Sequence, residues 1–234
     1  TAAPSSLQGN TIKNIVWSSG SGDNTPALWS GVYIQAGSAN LGTVTGNIIG
    51  SDTGTGSISV TSSGAGTSFG ISSDSSGAIT IANGIIGSIT VNGSTSTGSL
   101  VGVQVSAGTN TISNNIIGSA VTANSLNAAT PSSGITFSQQ VTGILSSSST
   151  STTITDNTVA NLNNNYISIV NRQGDPGQVR GIVTSAGVNT ITGNTVRNLS
   201  TTSQNANATN LQSVVGISAI STIAGQIVSQ NTVH

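Results

Sequence analysis

The chain of 234 residues contains no cysteine and no methionine, and only 4% of it is charged. Without cysteine there are no disulfide staples, no thiol chemistry and no Cys-ligated metal. Glutamate is also missing, so acid–base or calcium chemistry would rest on Asp23, Asp52, Asp74, Asp156 and Asp175. Lys13, Arg172, Arg180 and Arg197 are the whole basic complement, which leaves no stripe for phosphates and sets nucleic acid aside as a partner. No run reaches the roughly 18 unbroken apolar residues of a membrane span. The richest stretch, Val214 to Ala224, is interrupted by Gly216, Ser218, Ser221 and Thr222. A single histidine, His234, has no partners for a triad or a metal. Few charges with no Cys or Met fit an oxidation-tolerant protein of the cell exterior better than a cytosolic enzyme. The opening Thr1-Ala2-Ala3-Pro4 fits a mature terminus left by a removed signal peptide.

What is present is apolar and β-branched. Hydrophobic residues make up 34% of the chain and the mean hydropathy is +0.14, enough to build a core if the residues recur at regular intervals. Ile, Val and Thr suit pleated strands and are poor helix formers.

They do recur. The pattern Asn, variable, apolar opens at Asn14, Asn47, Asn115, Asn157, Asn194 and Asn231, with a further copy at Gly84-Ile85-Ile86 whose asparagine, Asn83, comes one place early. The spacings run from 31 to 42 residues, about 36 on average, in the range of solenoids. Three residues before the motif lies a second apolar column, Val44, Ile81, Ile112, Ile154, Ile191 and Val228, with Ile12 one residue out of register. A Gly followed by Val or Ile precedes the motif in each unit, as at Gly31-Val32, Gly70-Ile71, Gly102-Val103, Gly143-Ile144, Gly181-Ile182 and Gly216-Ile217. Short strands of this kind cannot bury both faces alone, and hairpin turns are missing, so each stacks on its copy in the next unit. The asparagines suit the left-handed corner between two strands and can pass amide hydrogen bonds from coil to coil.

Segments such as Asn110-Thr111-Ile112-Ser113-Asn114-Asn115-Ile116-Ile117 and Asn189-Thr190-Ile191-Thr192-Gly193-Asn194-Thr195-Val196 resemble the repeats of pectate-lyase-like parallel β-helix proteins. The low-charge, Ser/Thr/Asn-rich composition is similar to that of large secreted surface proteins of Bacteroidetes-type bacteria. The resemblance implies an all-β, right-handed parallel β-helix of about seven coils and says little of activity, because lyases, hydrolases, adhesins and spacers share the scaffold. Units longer than that family's usual coil imply long excursions on one side, at Ser51 to Ser68, Ser119 to Gln140 and Ala160 to Arg180. Alternation in Ser57-Ile58-Ser59-Val60 and Tyr166-Ile167-Ser168-Ile169 leaves open whether an excursion adds a fourth strand or lies flat.

Candidate sites are few. In repeat register only Asp156 sits beside a strand and no two carboxylates align on neighbouring coils, so no catalytic site, metal or cofactor is expected. Arg172, Asp175, Arg180 and Arg197 concentrate charge, either for an acidic sugar or, the preferred reading, as an ion pair pinning an Asp-Pro-Gly turn. Trp17, Trp29 and Tyr33 gather in the first unit, where they would stack on glycans or, preferred, pack the first coil or an end contact. Thr-rich runs, Thr95-Ser96-Thr97 and Thr150 to Thr153, raise ice binding, against which the threonines fall in no common column. Asn92, Asn198 and Asn207 open N-glycosylation patterns.

The sequence therefore predicts residues 1–234 as one β-helix domain, or a segment of a longer repeat protein. Neither terminus carries a polar cap, so the expected partner is another copy stacked end to end or further coils of the same chain. The function expected is non-enzymatic and extracellular, a filament subunit or adhesin rod. A carbohydrate-binding or polysaccharide-degrading β-helix is the alternative, and an ice-binding solenoid a second one.

Overall fold

The computed structural model describes residues 3–20, 27–93, 98–130, 139–166, 177–203 and 213–234. Among them there is no helix, and the strands form three all-parallel sheets, called A, B and C here, of seven, eleven and six strands. The chain visits A, B and C in turn and then climbs one level, giving a right-handed parallel β-helix.

The second coil shows the plan. Its strands are Ala39–Leu41 on A, Ile48–Gly50 and Ile58–Ser62 on B, and Gly66–Ser73 on C. The excursion that begins at Ser51 thus returns to the wall as a fourth strand, paired with Ile15–Ser19 on one side and Ile89–Gly93 on the other. Sheet B therefore consists of two rows side by side, which fuse into the single strands Thr158–Asn164 and Thr195–Thr201 in the fifth and sixth coils. The extra wall segment accounts for the long repeat. Residues 167–176, which hold the second alternating stretch beyond Tyr166, lie outside the described residues.

Three inward columns carry the core. Leu7, Leu41, Ile81, Ile112, Ile154, Ile191 and Val228 stack on A. Ile12, Ile49, Ile86, Ile117, Val159, Val196 and Val233 stack on B. Val32, Ile71, Val103, Ile144, Ile182 and Ile217 stack on C. From Leu41 to Ile191 on A the column is at most 1% exposed, and burying each such side chain stabilises by roughly 1.5–3 kcal/mol. Two expected members are corrected. Val44 is 86% exposed, because a longer corner, Gly42 to Gly46, separates Leu41 from the next strand and moves the column residue back to Leu41. Ile12 belongs to the B column, and Leu7 takes its place on A.

The Gly-Val/Ile signal also has a packing cause. A Cβ on Gly70, Gly102, Gly143 or Gly181 would overlap the side chain of Ile86, Ile117, Val159 or Val196 respectively, and the carbonyl of the next glycine in the column. Sheet C can approach the B column this closely only where it has no side chain.

Candidate functional site

The most extensive polar constellation is the asparagine ladder, which includes Asn47, Asn115, Asn157, Asn194 and Asn231 as expected but not Asn14 or Asn83. The backbone N–H and Nδ2 of Asn115 both donate to Asn157 Oδ1, at 3.0 and 2.9 Å. Asn157 donates in the same way to Asn194 Oδ1, both at 3.0 Å, and Asn194 to Asn231 Oδ1 at 3.0 and 2.9 Å. At the other end Asn10, not Asn14, donates from N and Nδ2 to Asn47 Oδ1 at 2.9 Å. The third rung is Gly84, whose N–H donates to Asn115 Oδ1 at 2.8 Å but which has no side-chain amide to accept from Asn47.

The ladder asparagines are not the left-handed residues. That conformation falls to the residue just before the rung, at Gly9, Asn83, Asn114, Asp156, Gly193 and Gln230, with φ between 54° and 69°. Asn83 is therefore a corner residue, and its Nδ2 donates to the Gly42 carbonyl. Asn14, with φ 58°, belongs to a second corner, between the two rows of sheet B, in line with Asn161 and Asn198 at φ 61° and 54°. An Asn tolerates this region because its short amide satisfies nearby backbone. The ladder itself is buried structural chemistry: Asn115, Asn157 and Asn194 are each 1% exposed.

The charged residues are dispersed. Asp52 lies between the two rows of B, Asp74 at the corner from C to A, and Asp156 at the corner from A to B. Asp23, Arg172 and Asp175 lie outside the described residues. Arg180 stands on sheet C, where its Nη2 donates to Gln140 Oε1, while Arg197 stands on sheet B and donates to the Ala120 carbonyl. These two arginines occupy different faces and do not form one site. Among the described residues no group of three His or Asp side chains is close enough to hold a metal ion. Nor is any helix there long and apolar enough to cross a membrane.

One carboxylate does link coils. Tyr33 Oη donates to Asp74 Oδ2 at 3.0 Å and Ser106 Oγ to Asp74 Oδ1 at 2.6 Å, joining the first three coils along the outside of C. The hydrogen bond to Asp74 raises the Tyr33 pKa above 10.0, since the phenol must give up a bonded proton beside a negative charge.

The aromatic group divides in the same way. Trp17 continues the inward column of Val60 and Val91, and Trp29 that of Ser68 and Leu100. Trp29 packs on the core, whereas Tyr33 points outward, so the three do not make one sugar-stacking platform.

Sheet A overturns the expectation about threonine. Thr80, Thr111, Thr153 and Thr190 stand opposite one another in successive strands, between the inward residues. Two residues on, Ala82, Ser113, Thr155, Thr192 and Ser229 form a second outward column. Unequal coil lengths hide this alignment in the linear sequence. Thr95, Ser96 and Thr97 lie outside the described residues.

No family model, curated protein or solved structure matches the chain. Its fold rests on the ladders themselves.

Proposed function

We propose that this chain is a non-enzymatic structural element of the cell exterior, a rod segment of a surface adhesin or a filament subunit, extended by stacking coil on coil. The kinship with pectate-lyase-like β-helices belongs to the same reading, supported by the parallel coils and the asparagine ladder. The observation that carries it is the uninterrupted repeat of the walls, in which inward residues stack from Leu41 to Ile191 on A and each ladder asparagine from Asn115 to Asn194 donates to the next. Val228 and Val233 are 49% and 55% exposed, while Ile191 and Val196 one coil earlier are 0% exposed. At the first coil a hollow of about 530 Å³ is lined by Leu7, Asn10, Ile12 and Val32. A further rung at either end, from the same chain or another copy, would bury the surface it covers.

The polarity of the ladder suits such a rung. Asn231 Oδ1 already accepts from Asn194, and the Asn10 amide and backbone N–H donate onward to Asn47. A coil added after Asn231 would accept from its backbone N–H, as Asn231 accepts from Asn194. The six steps of the axis span about 29 Å at about 4.8 Å per step. Electron microscopy of the purified chain should show rods of several times that length which lengthen with concentration, and Val233→Asp should shorten them. Isolated particles of one size at every concentration overturn assembly. Release of unsaturated sugar from an acidic polysaccharide with calcium overturns the non-enzymatic part.

A further inference from the structure

We propose that the outward face of sheet A is an ice-binding surface. This goes beyond the rod reading and does not depend on it. Four independent features of the face lead there.

First, the face is a two-dimensional grid. Along the axis, Thr80, Thr111, Thr153 and Thr190 repeat at the strand spacing of about 4.8 Å, and within a strand outward positions lie about 6.7 Å apart, twice the rise per residue. The pairs Thr111 and Ser113, Thr153 and Thr155, and Thr190 and Thr192 fill both outward columns, and Thr109 and Ser151 begin a third. Both repeats lie close to oxygen spacings on the surface planes of hexagonal ice.

Second, the hydroxyls are available. Thr80, Thr111, Thr153, Thr155 and Thr190 are partly exposed and their side chains make no hydrogen bond among the described residues. Threonine offers a hydroxyl and a methyl held by a stiff χ1, so the array is ordered before any ligand arrives.

Third, the layer beneath the face is uniform. Directly beneath it the inward rungs are the same residue four times, Ile81, Ile112, Ile154 and Ile191, so the strands have no reason to stand at different heights. The outward column of sheet B, by contrast, changes from Ile48, Ile85 and Ile116 to Thr158, Thr195 and Thr232.

Fourth, nothing on the face suits another ligand. The strands Ile79–Ala82, Thr109–Ser113, Ser151–Thr155 and Val188–Thr192 contain no charge to steer an ion and no aromatic ring to stack on a sugar. They also lack the contiguous large apolar patch of a protein interface. A lattice of water is the partner whose own repeat matches the grid.

The test uses the whole chain in an ice-recrystallisation assay, with uptake of the fluorescently labelled chain into a growing ice hemisphere as the second readout. Wild type should slow grain growth and enter the ice. Thr153→Tyr puts a bulky ring at the centre of the grid on a solvent-facing position, so the fold survives, and both activities should be lost. Thr90→Tyr makes the same change on the outward face of sheet B and should leave both unchanged. Wild type without effect, or Thr153→Tyr equal to wild type, overturns the proposal. So does equal loss in Thr90→Tyr. Failure here leaves rod assembly untouched, because that is read from particle length.

Discussion

Replacing Asn157 by alanine tests whether the ladder holds the coils together. Asn157 Oδ1 accepts from both Asn115 N and Asn115 Nδ2, and its own amide donates to the Ile112 carbonyl at 2.9 Å, the Thr155 carbonyl at 3.0 Å and Asn194 Oδ1. In the variant the Asn115 N–H has lost its acceptor at a 1% exposed site. One hydrogen of its amide is stranded too, although the other still reaches the Ile81 carbonyl at 3.0 Å. Asn194 Oδ1 keeps the Asn157 backbone donor, so the damage falls on the side of Asn115. Two buried donors without partners, at about 1–3 kcal/mol each, give a loss of about 2–5 kcal/mol once partial relaxation is allowed. For a chain of this size that lowers Tm by about 4–20 °C. Circular dichroism in a thermal ramp measures the fall, and hydrogen exchange should show the Asn115 amide deprotected first. A Tm within about 1 °C of wild type, with that amide still protected, would refute the reasoning.

The natural break offers the reverse experiment. A Cβ on Gly84 would sit 3.2 Å from Asn115 Oδ1 and 3.3 Å from the Asn47 carbonyl, tight but compatible with the backbone, so Gly84→Asn should complete the ladder and raise stability by about 1 kcal/mol in urea titration. Gly143→Ala drives a methyl into Val159 and the Gly181 carbonyl and should cost about 1–3 kcal/mol, while Gly20→Ala, with open space around it, should cost nothing measurable in the same titration. Tyr33 should ionise above 10.0 in an ultraviolet pH titration, and Asp74→Asn should bring it back down. Because the folded pKa is raised, the proton favours the folded state: the contribution is complete below pH 10 and is lost as pH climbs through the higher folded value.

The parts of this fold legible in sequence are those in which one residue type answers one local demand. The Gly-Val/Ile pairs mark sheet C correctly because every coil needs the same gap opposite the same Ile or Val. The ladder is legible at Asn47 and from Asn115 onward, where an asparagine stands directly before the paired strand of sheet B. It is misread in the first coil because Asn10-Thr11-Ile12 and Asn14-Ile15-Val16 both fit a three-residue pattern, and only strand pairing shows that Ile12 meets Ile49 while Ile15 meets Ile58. Val44 is misread for a related reason, since an apolar residue at the right count from the motif sits on a lengthened corner in water. The threonine columns escape detection entirely. Their alignment depends on rungs that are 31, 42 and 37 residues apart, so a fixed period smears them.

Those unequal lengths also bear on what such a rod can recognise. Extra residues enter at corners, between Gly50 and Ile58 or Gly118 and Leu126, and the paired strands on either side keep their register. The register of the walls is thereby kept independent of the length of the corners. A wall whose residues repeat from coil to coil maps onto itself when moved one rung along the axis. It therefore offers the same contact again at each step of about 4.8 Å. A single small molecule gains little from such a surface, since only one rung can touch it well and no side chains of different kinds converge around it. A partner that repeats at the same interval gains at each rung, and the contacts accumulate as they do for linked binding modules. Another coil of the same solenoid is one such partner, meeting the rod at its ends. A crystal lattice is another, meeting it on the outward face of sheet A. The two proposals for this protein thus share one physical origin, the translational symmetry that the Ile stack and the asparagine ladder impose on the chain.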